Sequence, residues 1–199
     1  MMSAPSVKQL PPPPVDRREV LRYAGHTGAG VEEPLALLLE ECIKETLPRL
    51  RYRVVWQELP LPLSGFDPTE RMAMEARLSG CRSVVMFAAT VGVEMDRLIT
   101  RYSRLRPAKA ELLDALGSER IEALCDAFCE ALAAEKKGEG LLIAPRFSPG
   151  YGKLPLTAQR ELIALLDASR KIGLTLNESL LMSPTKSVTA IVGIYEESV

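Results

Sequence analysis

Between Gly80 and Gly92 the chain carries an almost unbroken apolar run, Ser-Val-Val-Met-Phe-Ala-Ala-Thr-Val over residues 83–91. A β-rich run of this length, bounded by glycines, reads as a central strand over Arg82–Val91. The rest of the fold must be built around it. At its longest, Ser83–Val93, the run is far shorter than the ~18 residues of a membrane-spanning helix, so no membrane is expected.

Punctuation and periodicity supply the neighbours. Asp16, with Glu19 three residues on, has capping-box spacing and opens a short helix over 15–25 that stops at Gly25. Gly25–Gly30 is a loop. Val31, Leu35, Leu38, Leu39, Cys42 and Ile43 share one face of a helix over 31–48. Arg51–Glu58 alternates and reads as a strand. Short helices are expected over 70–78 and 94–103. A long one over 108–134 carries the stripe Ile121, Leu124, Cys125, Phe128, Cys129 and Leu132, with a soft spot at Gly117. Leu141–Phe147 is a strand, Thr157–Lys171 a helix capped by Thr157 and ended by Gly173, and Ser187–Ile194 a last strand. Helices and strands interleave irregularly, and no βαβ unit opens with a phosphate-binding glycine loop. The expected fold class is therefore α+β, a twisted antiparallel or mixed sheet flanked by helices.

The 199 residues suit one domain. Residues 1–15, with four consecutive prolines, are expected to form a disordered, polyproline-type leader, and 16–199 the domain. A chain of this length buries ~70% of its unfolded surface without a metal or disulfide staple. The 25 basic against 26 acidic residues give a net charge of -1, which argues against a partner recognised by phosphate neutralisation; no nucleic acid is expected. Aromatics, at 5%, are too few for a stacking platform. The N-terminus has no apolar signal region. Cys42, Cys81, Cys125 and Cys129 lie in apolar contexts without a Cys-x-x-Cys pair and read as free thiols of a cytoplasmic protein.

Most catalytic chemistries are poorly served. The single histidine, His26, lies in Gly-His-Thr-Gly-Ala-Gly, so any nucleophile–base pair or zinc site of the usual kind would depend on it. That segment is neither a dinucleotide fingerprint nor a Walker loop, because it follows a helix and lacks the Gly-Lys ending. The informative segment is Arg146-Phe147-Ser148-Pro149-Gly150-Tyr151. Pro149 presets a turn, Gly150 permits positive φ, Arg146 can fork onto a carboxylate, and Tyr151 offers a ring and a hydroxyl. The residues alone leave two readings open: a strand–turn–helix joint with a surface arginine, or a grip for an amino-acid-like ligand with an attached ring.

The segment Arg146–Ile194 resembles the C-terminal part of the activation domain of cobalamin-dependent methionine synthase. The family's RxxPGY signature is met at Arg146, Pro149, Gly150 and Tyr151. GLTLNES at 173–179 and SPTKSVTAIVGI at 183–194 are similar to family segments, as are AATVGVEMDRLI (88–99), LCDAFCEAL (124–132) and VDRREVLRYAG (15–25). The resemblance implies a twisted antiparallel sheet flanked by helices that binds S-adenosylmethionine. In the family this ligand remethylates cobalamin after an electron arrives from a flavodoxin-type reductase. Carried over residue by residue, Arg146 would meet the methionyl carboxylate, Pro149–Gly150 would bring backbone close, and Tyr151 would line the adenosyl side. Asp126 and Asp16 match family acids suited to the ligand's cationic groups or ribose; by themselves they also read as a charged helix face and a helix N-cap. After Gly-Tyr the sequence departs from the full-length synthases, and it stops at Val199 where they add a strand. It is thus expected to resemble short free-standing members, reactivating a methionine synthase core or another corrinoid protein in trans. The alternative is a docking module of the same fold that no longer binds S-adenosylmethionine. No independent methyltransferase site is legible.

Overall fold

The computed structural model describes residues 4–26 and 32–196. Its centre is the apolar run, which forms strand β3 (Ser83–Thr90); each residue from Val84 to Ala89 is 0% exposed. β3 pairs antiparallel with β2 (Arg53–Pro60) on one side and β7 (Ser187–Glu196) on the other. β1 (Ser6–Gln9) continues the sheet beyond β2, and β4 (Leu141–Ile143) continues it beyond β7, giving the order β1-β2-β3-β7-β4, all antiparallel. The fold is α+β, as the pattern predicts.

β3 is apolar throughout because both faces of the sheet are covered. Val85, Phe87 and Ala89 point into a core shared with helices α1 (Arg17–Tyr23), α2 (Glu33–Thr46), α4 (Glu94–Leu105) and the 32-residue α5 (Pro107–Gly138). There Phe128 of α5 meets the Phe87 ring at 4.8 Å between centroids. Val84, Met86 and Ala88 point the other way, into a core closed by α3 (Pro68–Arg77), α6 (Gln159–Leu165) and α7 (Ala168–Ile172). The stripe read on the long helix, Ile121, Leu124, Cys125, Phe128 and Leu132, is its buried face. Gly117 is a close-packing position rather than a soft spot: a Cβ there would stand 2.9 Å from side-chain atoms of both Lys186 and Met95.

Two expectations are corrected. The leader is not a free tail over its described residues. Val7 pairs with Val55 across the outer edge of β2, and the carbonyls of Pro13 and Pro14 accept bonds of 2.6 and 2.7 Å from the fully buried Arg120. The leader supplies what an open sheet edge and a buried guanidinium each need, and neither need is local in sequence. The helix expected over 157–171 is interrupted. A 3-10 turn (Leu156–Ala158) precedes α6, and Asp167, at φ +50, separates α6 from α7. Aspartate tolerates this conformation, and the break lets Leu162, Leu166, Ala168 and Ile172 all bury fully on the sheet. Thr157 does not cap; its hydroxyl donates to Glu70 at 2.5 Å. A short hairpin, β5 (Thr175–Leu176) with β6 (Met182–Ser183), follows α7. The start of the helix expected from Val31, and most of the glycine loop before it, lie outside the described residues.

Candidate functional site

Strand β4 does not stop cleanly. Ala144 N–H still donates to Gly193 at 2.8 Å, and Phe147 exchanges two bonds with Ile191. Between these points Pro145 and Arg146 stand opposite one residue, Val192. This is a β-bulge, and proline, which has no N–H to lose, suits it. The extra residue turns Arg146 toward α5. Its Nη2 donates to Glu122 Oε2 at 2.7 Å and to Asp126 Oδ1 at 2.8 Å. Glu122 and Asp126 are one helical turn apart on the flank of the buried stripe. Burial works against the guanidinium's charge, but the bonds to Glu122 and Asp126 outweigh it and raise its pKa. Two carboxylates around one guanidinium leave the cluster with one net negative charge.

The chain next turns tightly. Gly150 sits at φ +88 and its N–H donates to Leu154 at 2.9 Å, while Tyr151 N–H reaches back to Ser148. The Tyr151 ring is pushed outward and is 71% exposed. Arg146, Pro149 and Tyr151 line one cavity of about 750 Å³, and Glu122 joins them. Its apolar lining includes Phe147, Leu156 and Met182, and its floor holds two buried polar residues, Gln159 of α6 and Thr189 of β7. At the mouth the Arg77 guanidinium lies over the Phe147 ring at 4.6 Å. The β5–β6 hairpin closes one side; its turn places Leu180 at φ +63 and is pinned by the Asn177 side chain accepting from Leu181 N–H.

Asp16 lies elsewhere. Its carboxylate accepts from the N–H groups of Arg18 and Glu19, so it is the N-cap of α1. It lines a second cavity of about 710 Å³ together with the leader prolines, Glu122 and Asp126. The structure thus joins Arg146 to Asp126 directly, sets Pro149 and Tyr151 in the lining of the first cavity with Gly150 in the turn between them, and leaves Asp16 in the next cavity, with Glu122 lining both. Among the described residues no group of three or more metal-binding side chains is present, and no helix is long and apolar enough to cross a membrane.

Comparison with known proteins fits this geometry. Residues 143–199, which contain the bulge, the turn and the floor strand, match the family "Vitamin B12 dependent methionine synthase, activation domain". The fold of nearly the whole chain matches a crystal structure of the MetH reactivation domain bound to AdoHcy: 98% of this chain and 80% of that one, at TM-score 0.62 and 15% identity. Residues 143–199 are thus similar to the activation domain of vitamin B12 dependent methionine synthase, and the chain shares the fold of the reactivation domain. A comparison with curated proteins gave no match.

The site holds more than the RxxPGY signature predicts. Glu122 could have been found, since it lies four residues before Asp126 on α5. Thr189 left a faint signal as a polar residue within an apolar strand. Gln159 and Arg77 left none; only the packing of α6 and α3 on the sheet brings them to Phe147.

Proposed function

We propose that the first cavity binds S-adenosylmethionine and that the chain supports reductive methylation of a cobalamin carried by a partner, a methionine synthase core or another corrinoid protein, with electrons from a flavodoxin-type reductase. The observation that carries this reading is the Arg146–Glu122–Asp126 cluster, whose Arg146 and Glu122 line a 750 Å³ cavity shaped by the bulged RxxPGY segment. The volume is that of a small-molecule site. S-adenosylmethionine has a carboxylate, an ammonium and a sulfonium, and the cavity lining offers charge of both signs, Arg77 and Arg146 beside Glu122. Bound, it would supply an electrophilic methyl group, so the chain's task is to hold and orient it. Both hydrogen bonds of Arg146 use Nη2; Nε and Nη1 have no partner among the described residues and are available to the ligand's carboxylate. Glu122 and Asp126 hold the guanidinium in place and offer charge to the cationic groups. The Pro149–Gly150 turn brings backbone up to the ligand, and the Tyr151 ring covers its adenosyl side. The AdoHcy in the structural neighbour supports the same ligand class.

Cobalamin belongs on the partner. The family's cofactor domain uses a histidine in Asp-x-His-x-x-Gly; the one histidine here, His26, has Ala24 in the aspartate's place. The residues do not fit that ligation. A reaction in the cytoplasm is consistent with four free thiols.

Calorimetry tests the reading. Wild type should bind S-adenosylmethionine, and Arg146→Ala should weaken binding by about 1.5–3 kcal/mol, the worth of a charge-assisted bond. With cob(II)alamin and reductant, methylcobalamin should form only when a cognate corrinoid protein is added. No heat from wild type, beside a working positive control, overturns the proposal. It would favour the docking module, in which Arg146, already held by two acids, is purely structural.

A further inference from the structure

The hydrogen-bond parity of β7 exposes an open stretch of sheet edge inside the cavity. In an antiparallel strand, alternate residues direct their N–H and C=O to opposite neighbours. On β7 the even positions face β3: the carbonyl of Lys186 accepts from Val91 and that of Ile194 from Arg82. The odd positions face β4, since Ile191 exchanges both bonds with Phe147 and Gly193 accepts from Ala144. Thr189 is odd. Its register partner on β3 is Ala88, on the side its polar groups do not face. The Arg146 bulge and the turn at Pro149 have carried the β4 segment away before it reaches this position. The N–H and C=O of Thr189 therefore have no partner among the described residues, although the residue is only 2% exposed. Beside them Gln159, 3% exposed, has one side-chain hydrogen bond among the described residues, accepted by its amide oxygen from the Thr189 hydroxyl at 3.5 Å, and its amide nitrogen is unpartnered there. Buried donors and acceptors are normally satisfied, and a cluster left over on a cavity floor is suited to a ligand.

The cavity lining combines two chemistries. Its charged groups, Arg146 and Glu122, suit a zwitterion. Its apolar side chains and this uncharged donor–acceptor pair suit a flat heteroaromatic ring with a polar edge. We propose that the open edge of β7 at Thr189 and the side-chain amide of Gln159 read the amino and ring-nitrogen edge of the ligand's base, making Gln159 a specificity-determining residue for a 6-aminopurine. This rests on the reading that the cavity takes a nucleoside-linked methionine derivative.

The test measures binding of S-adenosylhomocysteine and S-inosylhomocysteine, which differ by an amino group against a carbonyl on the base. Wild type should favour the adenosyl ligand by about tenfold or more, the scale of one mispaired buried hydrogen bond. Gln159→Ala should lose about tenfold on the adenosyl ligand and little on the inosyl one, so that the preference narrows. Gln159→Glu, which keeps shape and removes the amide donor, should do the same if the alanine variant folds poorly. Tight binding of the adenosyl ligand with an adenosyl-to-inosyl ratio that neither variant changes would overturn the inference and leave the proposed function standing. Failure of wild type to bind either ligand would overturn both.

Discussion

Gly150→Ala is the sharpest probe of how the turn is built. Gly150 sits at φ +88, and a Cβ there would stand 3.1 Å from Leu156 Cδ1. Two costs compete. Backbone strain for an L-residue in this region is about 1–2 kcal/mol. The contact is tighter than ordinary packing, but Leu156 is 43% exposed and its side chain can swing toward solvent; a displaced rotamer costs at most about 0.5–1.5 kcal/mol. Strain should dominate. Urea unfolding of Gly150→Ala should show a loss of about 1–2 kcal/mol, and thermal melting a drop of about 2–8 °C for a chain this size. Leu156→Ala in the same chain should recover only a minor part. Gly150→Asn should cost less than alanine, because asparagine tolerates positive φ. A loss below about 0.3 kcal/mol, or full recovery with Leu156→Ala, would refute the argument. Gly150→Val should cripple ligand binding as well, since a β-branched residue is the worst tenant of this conformation.

Arg120→Met should cost about 3–5 kcal/mol, because it leaves Glu119 buried without its cation and strips donors from the Pro13 and Pro14 carbonyls; limited proteolysis should then reach the leader, and Glu119→Leu added to it should restore much of the stability. Hydrogen bonds from Arg106 and then Lys109 hold Glu41 down to about 2. That lowered pKa contributes stability which is present above the ordinary carboxylate range near 4.5 and is lost as pH falls from there toward 2. Arg106→Gln should therefore shrink the drop in urea midpoint between pH 6 and pH 3, and an unchanged drop would contradict it. Burial pushes the Cys42 and Cys129 thiols up to about 11 and Cys125 higher still. Iodoacetamide at pH 8 should label these three far more slowly in native protein than in urea.

Local chemistry made much of this fold legible. An apolar run with no polar face could only be a strand covered on both sides, and β3 is that strand. The α5 stripe at helical spacing could only be a buried face, and Asp16 capped its helix because its carboxylate meets the Arg18 and Glu19 N–H groups within one turn. The other half of the box is taken by distant Glu119, which accepts from Asp16 N–H while Glu19 pairs with Arg22. The RxxPGY segment was readable because a turn's demands, a preset φ and a positive φ, fall on adjacent residues. What tertiary structure decided were the partnerships between distant residues. Nothing in Ser6–Gln9 marks a strand; the open edge of β2 makes it one. Nothing near Asp167 announced a helix break; the sheet surface beneath α6 and α7 required it. Arg146 read as a free fork, but the bulge delivers it to Glu122 and Asp126, more than a turn of chain away on another element. Thr189 and Gln159 became a polar floor only when the chain after Phe147 left the edge of β7. Sequence settles what each segment can form within a few residues; hydrogen bonds and charges left unsatisfied by that local structure find their partners only when the segments pack.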